Sequence, residues 1–91
     1  MTENGNQTDC IITVKSRKNN NVYHLFKDRI EVVYGSGTTE IPLPVDYVMF
    51  HDLYYINNKF YAILATGDPY DVRFELDEEK CELTGKAIIT Y

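Results

Sequence analysis

Leu53-Tyr54-Tyr55-Ile56-Asn57-Asn58-Lys59-Phe60-Tyr61-Ala62-Ile63-Leu64 sets two apolar, aromatic-rich runs on either side of an asparagine pair. Asparagine tolerates positive φ better than other residues that carry a side chain. Asn57-Asn58 therefore suits a tight turn between antiparallel strands. The stretch predicts a β-hairpin, and the rest of the chain follows the same grammar.

Upstream of this hairpin, Cys10 to Lys15 alternates in the strand manner, with Cys10, Ile12 and Val14 on one face. Val22 to Phe26 forms a second predicted strand, with Val22, His24 and Phe26 sharing a face. Lys27-Asp28-Arg29 turns the chain into Ile30 to Tyr34, so a first hairpin covers Val22 to Tyr34. Gly35 to Thr39 reads as a flexible loop. Pro42 and Pro44 then mark an edge strand over Glu40 to Pro44, because proline cannot donate to a central ladder. Val45 to Leu53 fits two periodicities. Its Tyr, Val and Phe content favours a strand, and a single helix, if there is one, falls at 45–53.

Downstream, Thr66-Gly67-Asp68-Pro69 is a turn. Tyr70 to Leu76 alternates, with Tyr70, Val72, Phe74 and Leu76 inward and Asp71, Arg73 and Glu75 outward. Asp77 to Lys80 reads as a solvated turn, Cys81 to Leu83 as a short strand, Thr84-Gly85 as another turn and Lys86 to Tyr91 as the last strand. Turn signals recur at strand-length spacing. The expected fold is all-β: a small antiparallel meander of about seven to eight strands, closing as a sandwich or partly open barrel. Residues 1–9 are polar and read as a flexible tail, leaving 10–91 as one β domain.

Composition narrows the function classes. The 91 residues carry a net charge of −5, 44% hydrophobic and 25% charged side chains, as a soluble single domain does. Residues 1–44 hold five acidic and five basic side chains, whereas 45–91 hold nine and four, so the whole imbalance lies in the second half. Nucleic acid and anionic membranes require the opposite sign. A basic protein is the partner such a surface steers in fastest. No apolar run is long enough to span a bilayer. No signal peptide opens the chain, which points to a cytoplasmic location. The sequon Asn6-Gln7-Thr8 then has no secretory context. Cys10 and Cys81 are expected as buried, reduced thiols.

No closely spaced set of histidines and cysteines offers a metal site, and no cofactor motif is present. His24 and His51 are the only histidines and hence the only plausible general bases. His51 precedes Asp52, but neighbours along a strand point to opposite faces. No serine lies in a nucleophile elbow, so no catalytic residue is assigned. The residues best suited to function are the acidic series Asp71, Glu75, Asp77, Glu78 and Glu79, with Tyr54 and Tyr70 as aromatic anchors.

In size, acidity, lack of catalytic machinery and lack of a signal sequence, the chain resembles the small immunity proteins that neutralise basic toxin domains in bacterial competition. The resemblance implies a non-catalytic inhibitor that occludes the active site of a basic, nuclease-like toxin. It rests on general properties and carries no residue assignments. Two other expectations stand beside it. One is a homo-oligomeric structural domain paired through the Pro42–Pro44 edge or the last strand, whereas the inhibitor reading expects a monomer or weak homodimer. The other is a barrel holding a small apolar ligand.

Overall fold

The computed structural model describes residues 10–90; the tail expected over residues 1–9, its sequon and Tyr91 lie outside the described residues. The described chain is all-β. Its strands are β1 (Ile12–Lys15), β2 (Val22–Leu25), β3 (Arg29–Tyr34), β4 (Gly37–Pro42), β5 (Met49–Ile56), β6 (Lys59–Ala65), β7 (Tyr70–Asp77) and β8 (Glu82–Thr90). They form two four-stranded antiparallel meanders, β1-β2-β3-β4 and β5-β6-β7-β8, stacked as a sandwich. No described helix is long and apolar enough to cross a membrane.

The Asn57-Asn58 turn joins β5 to β6 as the sequence predicts. Both asparagines take positive φ, 50° and 68°, and the flanking residues pair symmetrically about them, Ile56 with Lys59 and Tyr54 with Tyr61. The segment 45–53 contains no helix: Val45-Asp46 form a turn, and β5 starts at Met49. The Leu43–Val48 connection is anchored to both sheets. Leu43 N–H donates to Asp28 O at 3.1 Å, Val48 N–H to Ala65 O at 2.8 Å, and Phe50 N–H to Lys27 O at 2.8 Å.

Three local expectations are corrected. Gly35 to Thr39 is not a five-residue loop: Gly35-Ser36 alone makes the turn, and Gly37 already pairs with Tyr34. The β-branched Thr38 and Thr39 extend the ladder opposite Val33 and Val32. Thr84-Gly85 is not a turn but a bulge inside one nine-residue strand. Thr84 faces Glu75 and Lys86 faces Phe74, so Gly85 is the extra residue, and its φ of 58° is one that glycine adopts without strain. The cysteines are free but not buried: Cys10 is exposed and Cys81 half-buried, in the β7–β8 turn rather than in a strand.

The core lies between the sheets. Tyr23, Leu25, Ile30, Val32 and Ile41 face Phe50, Leu53, Phe60, Ala62, Leu64 and Leu76. Tyr23 meets Phe60 edge-on, with ring centroids 4.8 Å apart, and Tyr55 stacks on the same ring at 4.3 Å. Pro42 ends β4, an outer strand of its sheet, as the edge reading requires.

The hairpin turn gives a direct test. Replacing Asn58 by glycine is expected to keep or raise the urea midpoint. Replacing it by valine is expected to lower stability by about 1–2 kcal/mol, because a β-branched side chain cannot sit at positive φ without strain.

Candidate functional site

Strand alternation sorts the polar residues of the β5–β8 sheet. With Leu53, Ala62, Leu64, Val72 and Leu76 buried inward, the neighbouring positions face out. The cross-strand rows Tyr54–Tyr61–Glu75–Thr84 and Asp52–Ile63–Arg73–Ala87 therefore lie on the outer face, together with Asp71 and the Asp77–Glu82 pair. Of the residues singled out from sequence, the fold brings together Tyr54, Asp71, Glu75 and Asp77. Asp52 and Glu82 join them, so the face carries five carboxylates against Lys59 and Arg73.

Its centre is aromatic. Tyr54 and Tyr61 pack at a ring-centroid distance of 6.2 Å, and the Arg73 guanidinium lies 4.4 Å above the Tyr61 ring. Ile63, on the same outer side, is 2% exposed. Arg73 is therefore engaged by an aromatic ring. Among the described residues no lysine or arginine nitrogen lies within 4.0 Å of Asp52, Asp71, Glu75, Asp77 or Glu82. The other sheet treats its carboxylates differently. Glu31 and Glu40 also face each other across strands, but Arg29 bridges them at 3.3 and 3.5 Å and holds Asp28 at 2.7 Å. Like charges directly opposite destabilise a sheet. Asp77 opposite Glu82 is left without a cation, although Asp77 also accepts the N–H groups of Glu79 and Lys80 at 3.0 Å and so shapes its turn.

His51 enters this face through a second bulge. The register shifts between Phe50 and Asp52, which removes the strict alternation there and lets both His51 and Asp52 reach outward. The partner of His51 is consequently Asp71, with Nδ1 3.1 Å from a carboxylate oxygen, and not its sequence neighbour. His24 lies on the outer face of the other sheet, 3.0 Å from the Thr13 hydroxyl and 4.0 Å from the Cys10 sulfur.

Two of the expected surface residues lie elsewhere. Tyr70 points to the inner side of its sheet, beyond the cover of the first one, in a recess of about 290 Å³ beside Asp46, Tyr47, Asp68 and Val72. Glu78 corrects the reading of residues 77–80 as a solvated turn: it is 5% exposed. Its Oε1 accepts the hydroxyls of Ser16 at 2.7 Å and Tyr23 at 3.2 Å, and the Tyr55 hydroxyl lies 3.0 Å from both carboxylate oxygens. Arg17 adds its backbone N–H to the Tyr55 oxygen at 3.0 Å and its guanidinium 4.8 Å above the ring. Glu79 is exposed beside it.

Burial is the main cause holding the Tyr23 phenol in its neutral form far above the usual tyrosine range, with the Glu78 carboxylate adding to it. Tyr55 is raised for the same leading reason. Cys81 is raised by burial and by Asp77 and Glu78.

Tyr61 and Asp52 were missed from sequence, although Tyr61 was within reach: a turn centred on Asn57-Asn58 pairs it with Tyr54. The hydroxyl donors to Glu78 leave no comparable signal, because Ser16 and Tyr23 lie 62 and 55 residues away along the chain. The chain matches no protein-family model, no curated protein and no solved structure in the comparisons made.

The Glu78 network yields two measurable consequences. Glu78→Gln should lower the unfolding free energy by about 2–3 kcal/mol in urea titrations at neutral pH, since hydrogen bonds to a charged acceptor are the strong ones. Alkaline stability follows from Tyr23. Both states hold the neutral phenol below about pH 10, so its contribution is complete there. Above that pH the unfolded chain ionises and the folded one does not, so stability falls as pH rises, approaching about 1.4 kcal/mol per pH unit. Tyr23→Phe should start less stable at pH 8 and show a flatter decline above pH 10.

Proposed function

We propose that the chain is a non-catalytic binding protein whose β5–β8 outer face seats a basic protein. The observation that carries this reading is the set of five outward carboxylates left without a lysine or arginine partner, while the single arginine among them stacks on Tyr61. The opposite sheet, with the same opportunity for repulsion, bridges its acidic pair with Arg29. Tolerated repulsion on one face is a cost to folding that binding a cationic surface removes.

The arrangement divides the work as tight interfaces do. Tyr54 and Tyr61, rigid and half-buried at the centre, are the anchors. Asp52, Asp71, Glu75, Asp77 and Glu82 surround them, with Glu79 at the rim, and raise the encounter rate with a positive partner. A basic, nuclease-like toxin fits this chemistry, since an active site that binds phosphates is itself cationic. Covering it with carboxylates would exclude its substrate. The finer reading is thus an immunity-type inhibitor.

The homo-oligomeric reading retains one specific observation. Ile88 on β8, an outer strand of its sheet, is 65% exposed, and Ala87 to Thr90 carry no charge to discourage strand pairing. Sedimentation that stays monomeric at high concentration would remove it.

For the inhibitor reading, the experiment is capture from native lysate at low salt, followed by kinetics on the purified partner. The expected partner is basic and binds more weakly as salt rises. Neutralising the face by Asp71→Asn, Glu75→Gln and Glu82→Gln together should slow association by about tenfold or more, and Tyr54→Ala should act mainly on dissociation. Association rates unchanged by the triple substitution would sink the proposal.

A further inference from the structure

An ionised carboxylate taken out of water normally finds both hydrogen bonds and a cation. Glu78 has the first. Three hydroxyl groups, from Ser16, Tyr23 and Tyr55, converge on it as on an acceptor. It lacks the second: among the described residues no lysine, arginine or histidine nitrogen lies within 4.0 Å of it. Arg29 and Arg73 are engaged elsewhere, on Phe26 with three carboxylates and on Tyr61, and the Arg17 guanidinium lies over the Tyr55 ring rather than against the Glu78 carboxylate.

Glu78 also lines an opening. A recess of about 600 Å³ lies between Asn21, Tyr34 and Thr39 on one side and Glu78, Glu79, Lys80 and Cys81 on the other. That volume falls in the ~300–1,000 Å³ range of small-ligand sites. Asn19, Asn21 and Thr39 line it with polar side chains and Tyr34 with a solvent-exposed ring, while Glu79 and Lys80 bring opposite charges to its rim. The buried anion and the aromatic ring match a planar cation rich in N–H donors, and Lys80, which lies at the rim without pairing with Glu78 among the described residues, is the chain's own competitor for that place.

We infer that this recess receives one guanidinium or ammonium side chain, and that it comes from the basic partner proposed above. The inference rests on that reading for the source of the cation. Glu78 then supplies the missing ion pair, and Tyr34 faces the bound cation. Closure of a desolvated ion pair at the edge of an otherwise exposed acidic face places the slow step of dissociation here and the fast step of encounter on the outer carboxylates.

The test needs no partner. Isotope-labelled protein is titrated with N-acetyl-arginine amide, and separately with the neutral citrulline analogue, following backbone amide resonances. The arginine probe should move Asn19, Asn21, Tyr34, Thr39 and Cys81 saturably, and the citrulline probe should bind at least tenfold more weakly. Glu78→Gln should cost a similar factor. Because that change also loosens the fold, Thr39→Phe provides a second variant, which fills the recess and leaves the hydroxyl donors to Glu78 in place. It should abolish the shifts. Asp71→Asn with Glu75→Gln should leave them unchanged. Equal responses to the two probes, or wild-type binding by Thr39→Phe, would overturn the inference without touching the acidic-face proposal. Equal loss of stability in Lys80→Gln and Glu78→Gln would also overturn it, since the cation would then be the chain's own.

Discussion

The buried carboxylate of Glu78 is the constraint on which the arrangement of the two sheets depends. It follows β7 in sequence, and it is held by Ser16 after β1, Tyr23 on β2 and Tyr55 on β5. Its donors thus come from both meanders. A sandwich packed only by apolar contacts can slide, because dispersion and hydrophobic burial have little directionality. Hydrogen bonds to a charged acceptor are directional and short, and leaving that acceptor unmet in the interior is expensive. The same network sets the aromatic layer, since Tyr23 and Tyr55 reach Glu78 with their hydroxyls while packing both their rings on Phe60.

The two outer faces differ in how they handle charge. On the first sheet Arg29 contacts Asp28, Glu31 and Glu40 and also covers the Phe26 ring at 4.1 Å. On the second, Arg73 lies over Tyr61 instead, and the cross-strand Asp77–Glu82 pair stays uncompensated. On one face a cation bridges the opposed carboxylates, and on the other none does among the described residues. The imbalance of net charge between the halves of the sequence therefore becomes an imbalance between the two faces of a molecule about 19 Å thick.

Two irregularities shape the acidic face. The bulge at His51 turns a residue toward Asp71 that regular alternation would have sent inward. The bulge at Gly85 keeps Thr84 beside Glu75 while Lys86 lies across from Phe74, on the inner side with Ile88. A lysine that an uninterrupted strand would have set among the outer carboxylates is thereby withdrawn from them.

Much of the fold is legible in the sequence because its signals are local. Asn57-Asn58, the alternation of Tyr70 to Leu76 and the edge proline Pro42 each act within a few residues. Backbone sterics and the two-residue strand period are enough to read them. The outer placement of Asp71, Glu75 and Asp77 follows from the same period. The bulges were not legible: His51 carries no mark of one, and Gly85 looks the same in a turn as in a bulge. Nor did charge mark Glu78 off from Asp77 and Glu79, which flank it in one acidic run. Its burial is decided by hydroxyls that stand far off in the chain, on strands whose meeting is a property of sheet stacking. The sequence by itself determined most of the strands, the Asn57-Asn58 turn and the sign of the surface. Only the tertiary structure decided which carboxylate is drawn inside, because desolvation and its compensation depend on groups brought together by packing rather than by proximity along the chain.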